Sequence, residues 1–129
     1  MTLEEKGPIA APPTLAGPAE RVNVAVQAWP QVTSAAHWHL YQPGKVDGAD
    51  FYVGDEELGH IHLNGEVHLP TSPEQYKALM AEGRASRFPY GNSEYQHWLL
   101  FTIRSEADAD YAVTLFERNY ERIQAVLLV

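Results

Sequence analysis

The sequence predicts an α+β fold: a mostly antiparallel sheet with helices packed on it, in the order α-β-β-β-β-α-β-α. Three observations predict it. Residues 105–124 place Ala109, Ala112, Val113, Phe116, Tyr120 and Ile123 at helical spacing. Thr71-Ser72-Pro73-Glu74-Gln75 is a helix start, with Ser72 as cap, Pro73 in the first turn and Gln75 closing a capping box. Short apolar or alternating runs at 32–40, 50–53, 58–63, 67–69 and 97–104 read as strands.

The elements follow in order. Residues 1–18 carry Pro8, Pro12, Pro13 and Pro18 with Gly7 and Gly17, the composition of a mobile or extended tail. The alternative is a segment draped over the body, with Ile9 and Leu15 as apolar anchors. Residues 19–129 are then a single domain of about 110 residues, long enough to bury a core. In 19–29, Val22, Val26 and Trp29 recur at helical spacing, while Val22, Val24 and Val26 also alternate like a strand. Pro18 and Pro30 bracket the run, and a short helix is the choice made. Residues 32–40 alternate Ala36, Trp38 and Leu40 against His37 and His39; Gly44, Asp47 and Gly48 mark a loop, and Gly54-Asp55 turns the strand at 50–53. After the second helix, with its stripe of Tyr76, Leu79 and Met80, Gly83 is a left-handed stop. Residues 88–95 read as a loop. The strand at 97–104 is apolar on both faces, Trp98 and Leu100 against Leu99, Phe101 and Ile103, so it is central, covered on both sides, or at an interface. Ser105 caps the last helix and Asp108 closes its box.

Nine Lys+Arg against seventeen Asp+Glu give a formal charge of −8. That disfavours nucleic acid and anionic membranes as partners. Without cysteine there are no disulfides, thiolate metal sites or cysteine nucleophiles. No apolar run approaches the ~20 residues that span a bilayer. The N-terminus lacks the basic start and apolar segment of a secretion signal, so a cytoplasmic location is expected.

The chemistry concentrates in Gly59-His60-Ile61-His62-Leu63-Asn64-Gly65-Glu66-Val67-His68. A two-residue Asn64-Gly65 loop would mix histidine and aliphatic residues on each face. A three-residue loop, Asn64 to Glu66, pairs Leu63 with Val67 and His62 with His68. It gathers His60, His62 and His68 on one face and Ile61, Leu63, Val67 and Leu69 on the other. The clean partition favours the second register. Three neutral imidazoles in that arrangement suit zinc or another divalent metal, or a small ligand. His37 and His39 repeat the spacing and can contribute, and Glu57 or Glu66 can serve as base or as acceptor behind a histidine. The competing reading is a polar sheet face with its imidazoles bonded to neighbours or water. No HExxH, phosphate loop or nucleophile elbow accompanies the cluster. Trp38, Tyr41, Phe51, Tyr52, Tyr90, Tyr95 and Trp98 either line a pocket or fill the core.

Phe51-Tyr52-Val53-Gly54 followed by Glu57-Leu58-Gly59-His60-Ile61-His62 resembles the central motif of the luciferase-domain family, short bacterial and fungal proteins. Leu69-Pro70, Leu79-Met80-Ala81-Glu82-Gly83-Arg84-Ala85, Phe101-Thr102-Ile103-Arg104-Ser105 and the closing helix resemble it too, so the likeness runs over about residues 20 to 124. The family's Gly-His-x-His falls on Gly59, His60 and His62, while Pro89 to Gln96 departs from its pattern. The family name implies light emission, and no residue here identifies a luciferin site.

Three functions follow as expectations. The first is a small-ligand-binding domain using His60, His62, His68, Glu57 and Trp98. The second is a histidine- or metal-dependent enzyme with His60, His62 and His68 as ligands or acid–base groups. The third is an interaction module that forms a homodimer through the strand around Trp98.

Overall fold

Alternation along residues 46–70 sorts apolar and polar side chains onto opposite faces of one sheet. In the computed structural model, which describes residues 1–91 and 93–127, that sheet has six antiparallel strands. The elements are α1 (Leu3–Lys6), α2 (Pro18–Gln27), β1 (Val32–Trp38), β2 (Val46–Val53), β3 (Glu56–His62) and β4 (Glu66–Pro70), then α3 (Pro73–Glu82), β5 (Ser86–Arg87), β6 (Trp98–Thr102) and α4 (Glu106–Leu127). The strand order is β1-β2-β3-β4-β6-β5. This is the predicted α+β class, with a short helix added in the N-terminal segment and a two-residue strand, β5, just ahead of the predicted 88–95 loop.

One face carries Ala49, Phe51, Val53, Leu58, Ile61, Val67, Leu69, Leu99 and Phe101, all buried. Helices α2 and α4 pack together over it. Val22 and Val26 of α2 are buried while Val24 is 57 % exposed, so the helical reading of that ambiguous run holds. Among the described residues no helix is long and apolar enough to cross a membrane.

The hairpin register differs from the one expected. His60 pairs with His68 and Ile61 with Val67, so the three-residue loop is Leu63 to Gly65, one position earlier than Asn64 to Glu66. The Gly65 N–H donates to the His62 carbonyl at 2.9 Å, closing a tight turn over Leu63 and Asn64, and Gly65 takes the left-handed φ of 87° that follows it. The Ile103 N–H then binds the Gly65 carbonyl at 3.0 Å and fixes the turn against the end of β6. Both three-residue loops have the same parity, so His60, His62 and His68 still share a face. The shift places Glu66 in β4 and leaves Leu63 exposed rather than on the apolar face.

Smaller differences have local causes. Asp47 and Gly48 lie in β2, not in a loop, because Gly48 pairs with both His37 and His62. The Gln75 backbone N–H donates to the Ser72 hydroxyl oxygen, but its side-chain amide donates to the Arg118 carbonyl, so the α3 capping box does not close. Strand β6 is central, between β4 and β5. The N-terminal segment lies against the body: the Pro8 carbonyl accepts from Trp38 Nε1, and the Ala10 carbonyl accepts from the Ala36 N–H on the edge of β1. Leu15 is buried there and Ile9 is exposed.

Candidate functional site

A β-bulge assembles the polar face. The β2–β3 pairing steps from Phe51–Gly59 to Tyr52–Glu57, so Leu58 is the extra residue. In a regular strand Glu57 and His60, three apart, would face opposite ways. With the bulge they share a side, and His60 Nδ1 donates to Glu57 Oε2 at 2.7 Å. Asp50 pairs with His60, His60 with His68, and His37 with Gly48 opposite His62. His37, Asp50, His60, His62 and His68 thereby converge.

Each imidazole is tied to its own carboxylate. His37 Nδ1 donates to Asp50 at 2.8 Å, His60 Nδ1 to Glu57 at 2.7 Å, His62 Nδ1 to Asp47 at 2.9 Å and His68 Nε2 to Glu66 at 2.7 Å. An ionised carboxylate only accepts, so these nitrogens carry the proton and the other nitrogen of each neutral ring presents a lone pair. The lone-pair nitrogens meet: His68 Nδ1 lies 3.2 Å from His60 Nε2 and 3.1 Å from His62 Nε2. The His37 ring stacks on His60 at 4.1 Å between centroids. His37, His60 and His62 each offer a ligand nitrogen within 4.8 Å of the others.

Burial favours the neutral form of the His60, His62 and His68 rings. It pushes the His60 imidazole down to about 4, against which Glu57 works only in part. It also lowers His62 and His68. Burial by itself would raise the Glu57 carboxyl, but the His60 ring and the Lys6 ammonium hold it at about 2. Lys6 Nζ sits 3.0 Å from Glu57 and 3.1 Å from Asp50. Burial opposes its charge, yet Glu57 and Asp50 outweigh that and raise its pKa. The Tyr52 hydroxyl donates to the Met1 carbonyl at 2.7 Å and lies 3.3 Å from Glu57.

Two adjoining cavities of about 640 and 710 Å³ open along this face and share His37, His60, Trp38, Tyr95 and Trp98. Trp98 is 6.1 Å from His60 between ring centroids, and Phe88 meets the His68 ring edge-on at 4.8 Å. Of the aromatic residues, Phe51 is buried in the apolar core and Tyr52 is buried on the polar side beside Glu57, while Trp38, Tyr41, Tyr90, Tyr95 and Trp98 line a cavity.

Comparison with known proteins adds one relationship. The model of the luciferase domain matches residues 55–119, just over half of the 129-residue chain. The chain belongs to the luciferase-domain family. Neither a curated protein nor a solved structure matches it. The luciferase-domain match is shorter than the likeness over 20 to 124 read from the motifs. It holds β3, β4, α3, β5, β6 and most of α4. His60, His62, His68, Glu57, Glu66 and Trp98 therefore sit within the luciferase domain proper, whereas Lys6, His37, Asp47 and Asp50 come from the chain ahead of it.

Glu57 lines the first cavity, His62 and His68 line the second, and His37, His60 and Trp98 line both. His39 lines the cavity but turns Nδ1 to the Tyr41 and Gln42 N–H groups, both at 3.1 Å, and serves the loop. Sequence reasoning missed Asp50, Asp47 and Lys6. Asp50 had a signal: a carboxylate inside the apolar strand Ala49-Asp50-Phe51 must have a cationic or donor partner. Lys6 had none, because its role depends on the path of the N-terminal segment.

Proposed function

We propose that this luciferase-domain protein binds a small ligand at a divalent metal centre built from His37, His60, His62 and His68. One observation carries the reading: the lone-pair nitrogen of His68 lies 3.2 Å from that of His60 and 3.1 Å from that of His62. Neutral imidazoles cannot hydrogen-bond through two lone pairs, so such a contact calls for a positive charge among them. These two spacings are near the ~3.3 Å edge of a tetrahedron with zinc–nitrogen bonds of about 2.05 Å, and His37, His60 and His62 offer nitrogens within 4.8 Å of one another. Every ligand histidine also has a carboxylate behind it, which fixes its tautomer and raises its donor strength. Imidazole donors favour zinc, copper, iron or nickel over magnesium or calcium. A ligand bound from the cavity would rest its apolar body on Trp98, Phe88 and Tyr95.

Calorimetric titration of chelator-treated protein with zinc tests the reading. One saturating equivalent per chain is expected. His62→Ala weakens binding by roughly 100-fold or more while the circular dichroism spectrum is retained. Absence of saturable binding by zinc, cobalt, nickel, copper or iron removes the proposal.

A further inference from the structure

On the far side of His60 from the imidazole centre, a second set of groups converges on a cation that is already there. Lys6 Nζ lies against Asp50 Oδ1 and Glu57 Oε1, with side-chain exposures of 14 %, 0 % and 13 %. Asp50, Glu57 and His60 each present a ligand atom within 4.8 Å of the others. Two carboxylates facing one ammonium leave an uncompensated negative charge. The Asp50 carboxylate is also incompletely used: Oδ1 receives both Lys6 and His37, whereas Oδ2 is buried with no hydrogen-bond partner. A buried carboxylate oxygen without a donor is costly, and a doubly charged ion bound by both oxygens would remove that cost.

We propose that Asp50 and Glu57 form a second cation site, of which the Lys6 ammonium is the tethered occupant and which takes a hard divalent cation such as Mn²⁺ when that ammonium is withdrawn. The donors are oxygens, which suits magnesium, calcium or manganese rather than the ions favoured by imidazoles. His60 Nδ1–H is committed to Glu57, so the two carboxylates carry the ion, and water completes its shell from the cavity that Met1, Glu5 and Lys6 line. Lys6 belongs to a four-residue helix whose Thr2 cap and Glu5 bond are exposed, so withdrawing it requires no change in the sheet.

Electron paramagnetic resonance of Mn²⁺ in equilibrium with zinc-treated protein tests the site. Lys6→Ala is expected to bind one more Mn²⁺ per chain than the unmodified protein. Asp50→Asn added to Lys6→Ala removes the extra ion, and Lys6→Arg behaves as the unmodified protein does. Equal Mn²⁺ binding with and without Lys6, or extra binding that survives Asp50→Asn, overturns the proposal. Lys6→Met is the second variant if Lys6→Ala does not fold. Failure of both to fold also overturns it, since an exchangeable occupant is not required for folding. The readout is the difference between variants, so it stands even where the unmodified protein binds no zinc and the imidazole centre is refuted.

Discussion

His60 shows how one side chain can be held in a state that water would not favour. Its side chain is 11 % exposed and its pKa is depressed to about 4 from an ordinary 6.5. The unfolded chain therefore takes up this proton first as the solution is acidified. His60's contribution to stability is complete above pH 6.5 and is lost as pH falls from 6.5 to 4, by about 3 kcal/mol for this group alone. Glu57, held at about 2 against an ordinary 4.5, continues the loss in the same direction from pH 4.5 downward. Urea unfolding of metal-free protein across pH 7.5 to 4 should record this decline, and a flat profile would contradict a buried neutral imidazole. The carboxylates behind the histidines have an effect of their own. Asp47→Ala leaves His62 in place but removes the acceptor that fixes its tautomer, and should weaken zinc binding roughly 10- to 100-fold in a calorimetric titration. At this scale the histidines themselves were legible because their spacing of two is a strand pattern. Their acceptors were legible only in part, because which carboxylate faces which ring depends on pairing across four strands.

Among the elements, the β3–β4 hairpin was predicted correctly in its faces and wrongly in its register. The apolar set Ile61, Val67 and Leu69 constrains only parity. The choice between two odd registers was made by Gly65 and its bond to Ile103, a residue almost forty positions on. The bulge at Leu58 was invisible for a similar reason: Glu57-Leu58-Gly59 reads as plain alternation until β2 supplies the partner. Gly59 lies where α4 crosses the sheet. A Cβ there would come within 2.8 Å of the Phe116 ring and 2.9 Å of Leu69 Cβ. Gly59→Ala should therefore cost roughly 1–3 kcal/mol in a denaturation experiment, through overpacking. Phe116, fully buried and set edge-on to Phe51 at 5.5 Å, should cost roughly 3–5 kcal/mol as Phe116→Ala. Losses below 1 kcal/mol at both positions would mean that α4 does not pack as described. Helix α4 was the most legible element, since its periodicity and its Ser105 cap are local properties.

For the molecule as a whole, occupancy of the imidazole centre should couple to unfolding. Four strands meet there only in the folded state, so an ion that binds it stabilises by mass action, about 2.7 kcal/mol at a hundredfold excess over its dissociation constant. Zinc should raise the melting temperature in a concentration-dependent way, and a chelator should reverse the shift. An unchanged melting curve would argue against binding to the native state. The whole-molecule arrangement was the least legible level. Helix and strand content followed from composition and periodicity, but the packing of residues 1–10 onto β1 and β2 is decided by tertiary contacts such as Lys6 with Asp50 and Pro8 with Trp38. The boundary of the family match also runs through the polar face, dividing His60, His62 and His68 from His37, Asp47 and Asp50. Chains that inherit the hairpin but rewrite the strands ahead of it would keep three imidazoles and exchange their neighbours. A common ancestral scaffold could in that way diversify its chemistry without disturbing the part by which kinship is recognised.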